Sequence, residues 1–133
     1  MAKYTIITIN YNNGKELRRT IESVINQSFR DVEYIIIDGG STDDSVDIIK
    51  QYAEHIDFWI SERDRGVYNA MNKGLKRAHG EFVIFMNSGD SFYSPNVIEE
   101  IDRQISDTDI LFGNVCDSAS GKVYGGIKAG SEV

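Results

Sequence analysis

Short apolar runs alternate with amphipathic stretches along most of the chain. Tyr4 to Ile9 is rich in Ile and Thr, reads as a buried strand, and stops at the turn-forming cluster Asn10-Tyr11-Asn12-Asn13-Gly14. Leu17, Ile21, Val24 and Ile25 recur at helical spacing and predict an amphipathic helix over Lys15 to Gln27. Glu33 to Ile37 is a second strand, ending at Asp38-Gly39-Gly40. Ser41 or Thr42 is placed to cap a helix whose inner stripe is Val46, Ile49, Ala53 and Ile56. Phe58 to Ile60 makes a short third strand, followed by the polar patch Ser61-Glu62-Arg63-Asp64-Arg65-Gly66. A helix with Met71, Leu75 and Ala78 on one face ends at Gly80, placed as a C-terminal glycine. Phe82 to Met86 is a fourth strand and runs into Asn87-Ser88-Gly89-Asp90. Ser94-Pro95 starts a further helix with Pro at its first position, and Val97, Ile98, Ile101 and Ile105 face inward. Ile110 to Phe112 is a fifth strand. Beyond Gly113 the pattern weakens: Asp117 to Gly121 reads as a hairpin turn, and the Gly-rich tail to Val133 has little core potential.

Strands alternating with helices predict an α/β fold, a mostly parallel sheet with helices on both faces. Ligands of such sheets bind outside the carboxyl ends of the strands. The polar clusters at Asn10-Tyr11, Asp38-Gly39, Ser61 to Gly66 and Asn87 to Asp90 therefore converge on one edge. The length, 133 residues, suits one domain. A net charge of −7 with no basic stripe argues against a nucleic-acid partner. One cysteine, Cys116, and two histidines, His55 and His79, exclude an intrachain disulfide and the usual Cys/His zinc site. No apolar run approaches the roughly 20 residues of a membrane span, and Ala2-Lys3 leads straight into a strand pattern, so a cytoplasmic location is expected.

The chain lacks G-x-G-x-x-G, G-x-x-x-x-G-K-[ST] and G-x-S-x-G, and Ser88 has no histidine partner in view. Its edge offers carboxylates and amides. Asp38 can accept an N–H from a planar ligand while Gly39 and Gly40 admit close approach. Asp90, as an exposed carboxylate on a turn, suits a hard divalent cation that keeps several waters and takes further oxygens from a phosphate. An acidic protein needs such a counter-ion to hold a diphosphate. Arg65 and Lys73 add positive charge, and Asn87 can meet a sugar hydroxyl. Plainer readings stand beside these. Asp38 can close an Asx turn, Asp90 can cap its own turn, Asn72 and Lys73 can be solvated, and Tyr11 and Tyr68 can be aromatics at the edge of the core.

Taken together, "TIITINYNNGKELRRTIESVINQSF", "EYIIIDGGSTDDS", "ISERDRGVYNAMNKGLKRAHGEFVIFMNSGD" and "DILFGNV" resemble the N-terminal half of family 2 glycosyltransferases with the GT-A fold. The "D-x-G-x-Y-x-A-M-N-K-G" form resembles a bacterial subgroup acting in capsule, exopolysaccharide or lipopolysaccharide synthesis. The resemblance implies a nucleotide-sugar (donor) domain over residues 1–115 and the start of an acceptor region, truncated, over 116–133. It implies that Thr8, Asn10 and Tyr11 line the base and that Asp38 binds a uracil-type ring. Asp64, Arg65 and Gly66 complete the base and phosphate side, and Asn72 and Lys73 belong to the nucleotide-binding set. Asn87 faces the ribose, and Asp90 holds Mg²⁺ or Mn²⁺ in this chain's version of the D-x-D element. Two departures stand out: Asn87 and Gly89 replace carboxylates usual in that element, and Met71-Asn72 stands where Arg-Asn is common. The implied reaction is inverting transfer from a UDP-type donor to a saccharide or lipid-linked acceptor, with peripheral membrane association through a missing C-terminal part. An inverting enzyme needs a general base. Asp117 is the only carboxylate between Gly113 and Glu132, and nothing marks it as that base, so poor or no turnover is expected of this chain alone. The rival class is a non-catalytic nucleotide-sugar-binding or assembly module. A nucleotidyltransferase would want a basic, Gly-rich loop after the first strand, and Asn10 to Gly14 is not one.

Overall fold

The computed structural model describes residues 2–104, 110–116 and 123–128. The elements are β1 (Tyr4–Asn10), α1 (Gly14–Ile25), β2 (Val32–Asp38), α2 (Ser45–Gln51), β3 (Phe58–Ser61), α3 (Val67–Arg77), β4 (Phe82–Phe85), α4 (Val97–Gln104), β5 (Ile110–Cys116) and β6 (Val123–Lys128), with a 3-10 turn at Ala53–His55. They build one sheet in the order β3-β2-β1-β4-β6-β5. β1 is parallel to β2 and β4, and β2 to β3. β6 runs antiparallel to both its neighbours.

Period-two alternation in β1 divides the core. Tyr4 and Ile6 join Leu17, Ile21 and Val24 of α1, Ile48 and Ile49 of α2, and Val97, Ile98 and Ile101 of α4 on one face. Ile7 joins Ile35, Ile37, Val83 and Ala70 of α3 on the other. Small residues let α3 sit low over β1: a methyl group on Gly74 would stand 2.7 Å from Ile7 Cγ2. The predicted α/β architecture with helices on both faces is thus present.

Several details differ from the sequence reading. β6 lies in the Gly-rich tail credited with little core potential, yet it is hydrogen-bonded between β4 and β5 in the same sheet. A strand paired on both sides needs little side-chain periodicity, because the backbone ladder holds it, and its glycines hid it. Ala53 is exposed rather than inward, because α2 ends at Gln51 and the 3-10 turn breaks the helical phase. Ser41 and Thr42 do not cap α2, which begins at Ser45. α3 ends at Arg77 with Ala78 extended, so Gly80 does not cap it. Gly80 is instead required by crowding: a methyl there would lie 2.6 Å from the Thr5 backbone nitrogen. α4 starts at Val97, two residues beyond Pro95. The expectations for Ile105 and for a turn over Asp117 to Gly121 fall outside the described residues.

Candidate functional site

The register of the parallel strands puts Asn10 opposite Asp38, and Asp38 opposite Ser61, in one row at the carboxyl edge. Such a row of buried polar groups is tolerable only when its members bond one another. Asp38 is fully buried. Its Oδ1 accepts from Asn10 Nδ2 (2.8 Å) and Ser41 Oγ (2.7 Å). Its Oδ2 accepts from Gly40 N (3.2 Å), Ser41 N (2.9 Å) and Ser61 Oγ (2.8 Å). A carboxylate has about four lone-pair sites, so Asp38 has no capacity left for a ligand in this arrangement. In this arrangement Asp38, expected to meet a base, organises the loops around it, as in the Asx-type reading, extended across three strands. Asn10 is equally buried, and among the described residues its Oδ1 has no hydrogen-bond partner. Thr8, also expected beside the base, is wholly buried and pairs with the Tyr34 hydroxyl at 2.8 Å under the α1 face. Its even position in β1 points it into the core.

Tyr11 is the member of that group on the surface, 63% exposed. It stands beside Gly39, where an added methyl would be 3.3 Å from Tyr11 Cδ1 and 3.0 Å from Asp64 Oδ2. Gly39 thereby lets both the ring and the carboxylate approach its backbone. Asp64 uses its other oxygen to accept from Gly66 N (3.1 Å), with Gly66 at φ 110°. Arg65 is exposed, and its N–H donates to Asn69 Oδ1. Asn72 is exposed. Lys73 Nζ pairs with Glu62 (3.1 Å) and donates to the Arg63 carbonyl (3.3 Å). The exposed rings of Tyr11 and Tyr68 show that neither is an edge-of-core aromatic.

The turn after β4 lies beside the same end of β1, because Ser88 N donates to the Ile9 carbonyl while Gly39 N donates to that of Asn10. Asn87 is exposed, but Asp90 is only 6% exposed, against the expectation of an open carboxylate. Its Oδ2 accepts from Asn87 N at 3.1 Å, and its own N–H returns to the Asn87 carbonyl at 2.9 Å. Gly89 supplies the left-handed φ of 99° that the turn requires. Among the described residues no three His, Cys, Asp or Glu side chains gather to hold a metal ion. The turn thus presents one carboxylate, Asp90, with the exposed Asn87 amide beside it, and not an all-protein metal cage.

Thr20 and Arg19 of α1, which also hold this turn, were missed. The signal was present: Thr20 falls in the inward stripe with Leu17, Ile21 and Val24, and a hydroxyl there must find a partner.

The sequence pattern of glycosyl transferase family 2 matches residues 5–124. The chain belongs to that family. Among its relatives is an uncharacterised glycosyltransferase of Mycobacterium tuberculosis, 39% identical over 103 residues, covering 77% of this chain and 39% of the relative. A Mycobacterium bovis PGL/p-HBAD biosynthesis glycosyltransferase is 29% identical over 129 residues, covering 92% of this chain and 50% of the relative. The chain thus spans half or less of the length of these relatives. Of solved structures, S. aureus TarS (residues 1–349) with UDP-GlcNAc superposes with a TM-score of 0.72 at 26% identity, over 83% of this chain and 33% of that one. The Pyrobaculum calidifontis mannosyltransferase PcManGT, solved with GDP-Man and Mn²⁺, superposes at 0.81 with 17% identity, over 95% of this chain and 44% of that one. The fold is that of GT-A glycosyltransferases.

Proposed function

We propose that the carboxyl edge of the sheet binds a nucleoside-diphosphate sugar, UDP-type, as the donor for inverting transfer in bacterial surface polysaccharide synthesis, in the cytoplasm. The observation that carries this reading is the placing of the exposed Tyr11 ring and Asp64 together against Gly39, at the end of β1 that the Asn87–Asp90 turn also bonds. Tyr11 offers a face for a base to stack on, and Asp64 accepts a ring N–H. Asp38 and Asn10 hold the loops that present them. Arg65 and Asn72 lie toward the phosphates. S. aureus TarS, which was solved with UDP-GlcNAc, supports the UDP-type donor.

In the reaction an acceptor hydroxyl oxygen bonds to the anomeric carbon, the bond from that carbon to the phosphate oxygen breaks, and the nucleoside diphosphate leaves with the electron pair. The hydroxyl proton passes to a general base, which none of the described residues is assigned to be. Asp90, with Asn87 beside it, would hold Mg²⁺ or Mn²⁺, which when bound supplies positive charge to the leaving diphosphate. The acceptor is a saccharide or lipid-linked sugar. Thermal denaturation with UDP and Mn²⁺ tests the donor site. A ligand at a hundred times its Kd stabilises by about 2.7 kcal/mol, so the wild-type midpoint rises, and Asp90→Ala loses the Mn²⁺-dependent part. An unchanged wild-type midpoint with UDP and Mn²⁺ refutes the reading.

A further inference from the structure

The Asn87–Asp90 turn is clamped from α1 rather than from its own strand. Thr20 is fully buried. Its hydroxyl accepts from Gly89 N at 2.9 Å and lies 2.7 Å from the Asp90 carbonyl. A helical threonine commonly bonds back to the carbonyl four residues earlier. Here that oxygen, of Glu16, is the more distant acceptor at 3.2 Å. One hydroxyl proton and its lone pairs can serve Asp90 and Gly89 together, so Thr20 grips both sides of the peptide that leads into the metal-side carboxylate.

Arg19 completes the grip. Its Nη2 donates to the Gly89 carbonyl and its Nη1 to Ser91 Oγ at 3.0 Å. Glu16 Oε2 orients the guanidinium through Nε (3.1 Å) and Nη2 (3.0 Å). Both backbone polar groups of Gly89 are therefore held by neighbouring residues of one helix, at the residue whose positive φ shapes the turn.

We infer that Thr20 and Arg19 are positioning residues for Asp90, so that helix α1 sets how strongly a divalent ion and a nucleoside diphosphate reinforce each other's binding. This deepens the proposed donor site and rests on it. A side chain that only stabilised the fold would affect nucleotide affinity alike with and without metal. A side chain that positions Asp90 would affect the ratio of the two affinities.

The test is titration calorimetry of UDP into the 133-residue chain in EDTA and in saturating Mn²⁺, with circular dichroism to confirm folding. Wild type gives a ratio of the two Kd values well above one. In Thr20→Val that ratio falls about five- to tenfold, the size of one lost hydrogen bond, and Thr20→Ser restores it. Arg19→Lys keeps the charge but loses the fork, and lowers the ratio too, which reads the same clamp should Thr20→Val fail to fold. The inference is overturned if the folded variants keep the wild-type ratio, if Thr20→Ser is as impaired as Thr20→Val, or if wild type binds UDP equally with and without Mn²⁺. Wild type that binds no UDP under either condition overturns the donor site itself, and this inference with it.

Discussion

Replacing Asp38 tests whether a carboxylate at the end of β2 is scaffold or ligand contact. In Asp38→Asn the amide oxygen is drawn to the side where two backbone donors, Gly40 N and Ser41 N, cannot turn away. The new NH₂ then faces Asn10 Nδ2 and Ser41 Oγ. The hydroxyl can rotate its proton and accept. The Asn10 amide can turn over, because its Oδ1 has no partner among the described residues. One weakened contact and the lost charge assistance remain, about 1–3 kcal/mol. Asp38→Ala leaves every one of these donors without its acceptor and costs more, about 3–5 kcal/mol. Asp64→Ala removes an exposed cap on Gly66 N and costs under about 1 kcal/mol, yet UDP affinity falls about tenfold with the charged acceptor gone. Urea denaturation gives the stabilities and calorimetry the affinities. The reasoning is refuted if Asp38→Asn keeps full stability and loses UDP binding while Asp64→Ala binds UDP normally.

Three further outcomes follow from packing and charge. Gly80→Ala forces a methyl against the backbone of Tyr4 and Thr5 at 2.6–2.7 Å; backbone cannot swing aside, so urea denaturation should show a loss at the upper end of about 1–3 kcal/mol. Tyr34→Phe strands the Thr8 hydroxyl in a pair where burial has pushed the phenol pKa well up. It should cost about 1–3 kcal/mol, and the double variant with Thr8→Val less than the sum of the singles. Burial raises the Glu33 pKa, but hydrogen bonds from the His79 N–H, the His79 ring and the Thr5 hydroxyl outweigh it, so the carboxyl titrates below the ordinary glutamate range. A lowered folded pKa adds stability that is complete above the unfolded value near 4.5 and lost as pH falls through the folded one. Glu33→Gln should therefore flatten the stability profile below about pH 4.5, as followed by thermal midpoints.

The sheet and its helices were legible because β1, β2 and β4 are apolar runs closed by turn residues, and because Leu17, Ile21 and Val24 keep helical phase. The edge was legible as a place, since strand ends in such sheets fall together. The roles within it were harder to read. Whether an aspartate after a strand faces solvent or lies under a loop depends on register, and the pairing of Asn10 with Asp38 and of Asp38 with Ser61 is a long-range property. Asp38 and Asp64 look alike in sequence, and Gly39 separates them: it adjoins Asp64 and Tyr11, while Asp38 turns inward. β6 escaped notice because a strand bonded on both sides carries its information in the backbone ladder.

If the proposed donor site is right, charge decides how this edge receives a diphosphate. Asp64 and Asp90 adjoin it, Lys73 is paired with Glu62, and Arg19 is paired with Glu16 and committed to the turn. The chain as a whole carries −7. A phosphate charge about 4 Å from one carboxylate is opposed by about 4 kcal/mol at an effective dielectric constant of 20, roughly a thousandfold in affinity. The proposed base contacts through Tyr11 and Asp64 would then work against repulsion unless a cation arrives with the nucleotide. Metal-free UDP should accordingly bind more tightly as NaCl is raised from about 10 mM to 1 M, over which the screening length falls from about 30 Å to 3 Å. A basic phosphate site shows the opposite trend. UDP affinity in EDTA that weakens with salt would mean that Arg65, or another cation near the edge, already outweighs the carboxylates, and that no counter-ion is called for.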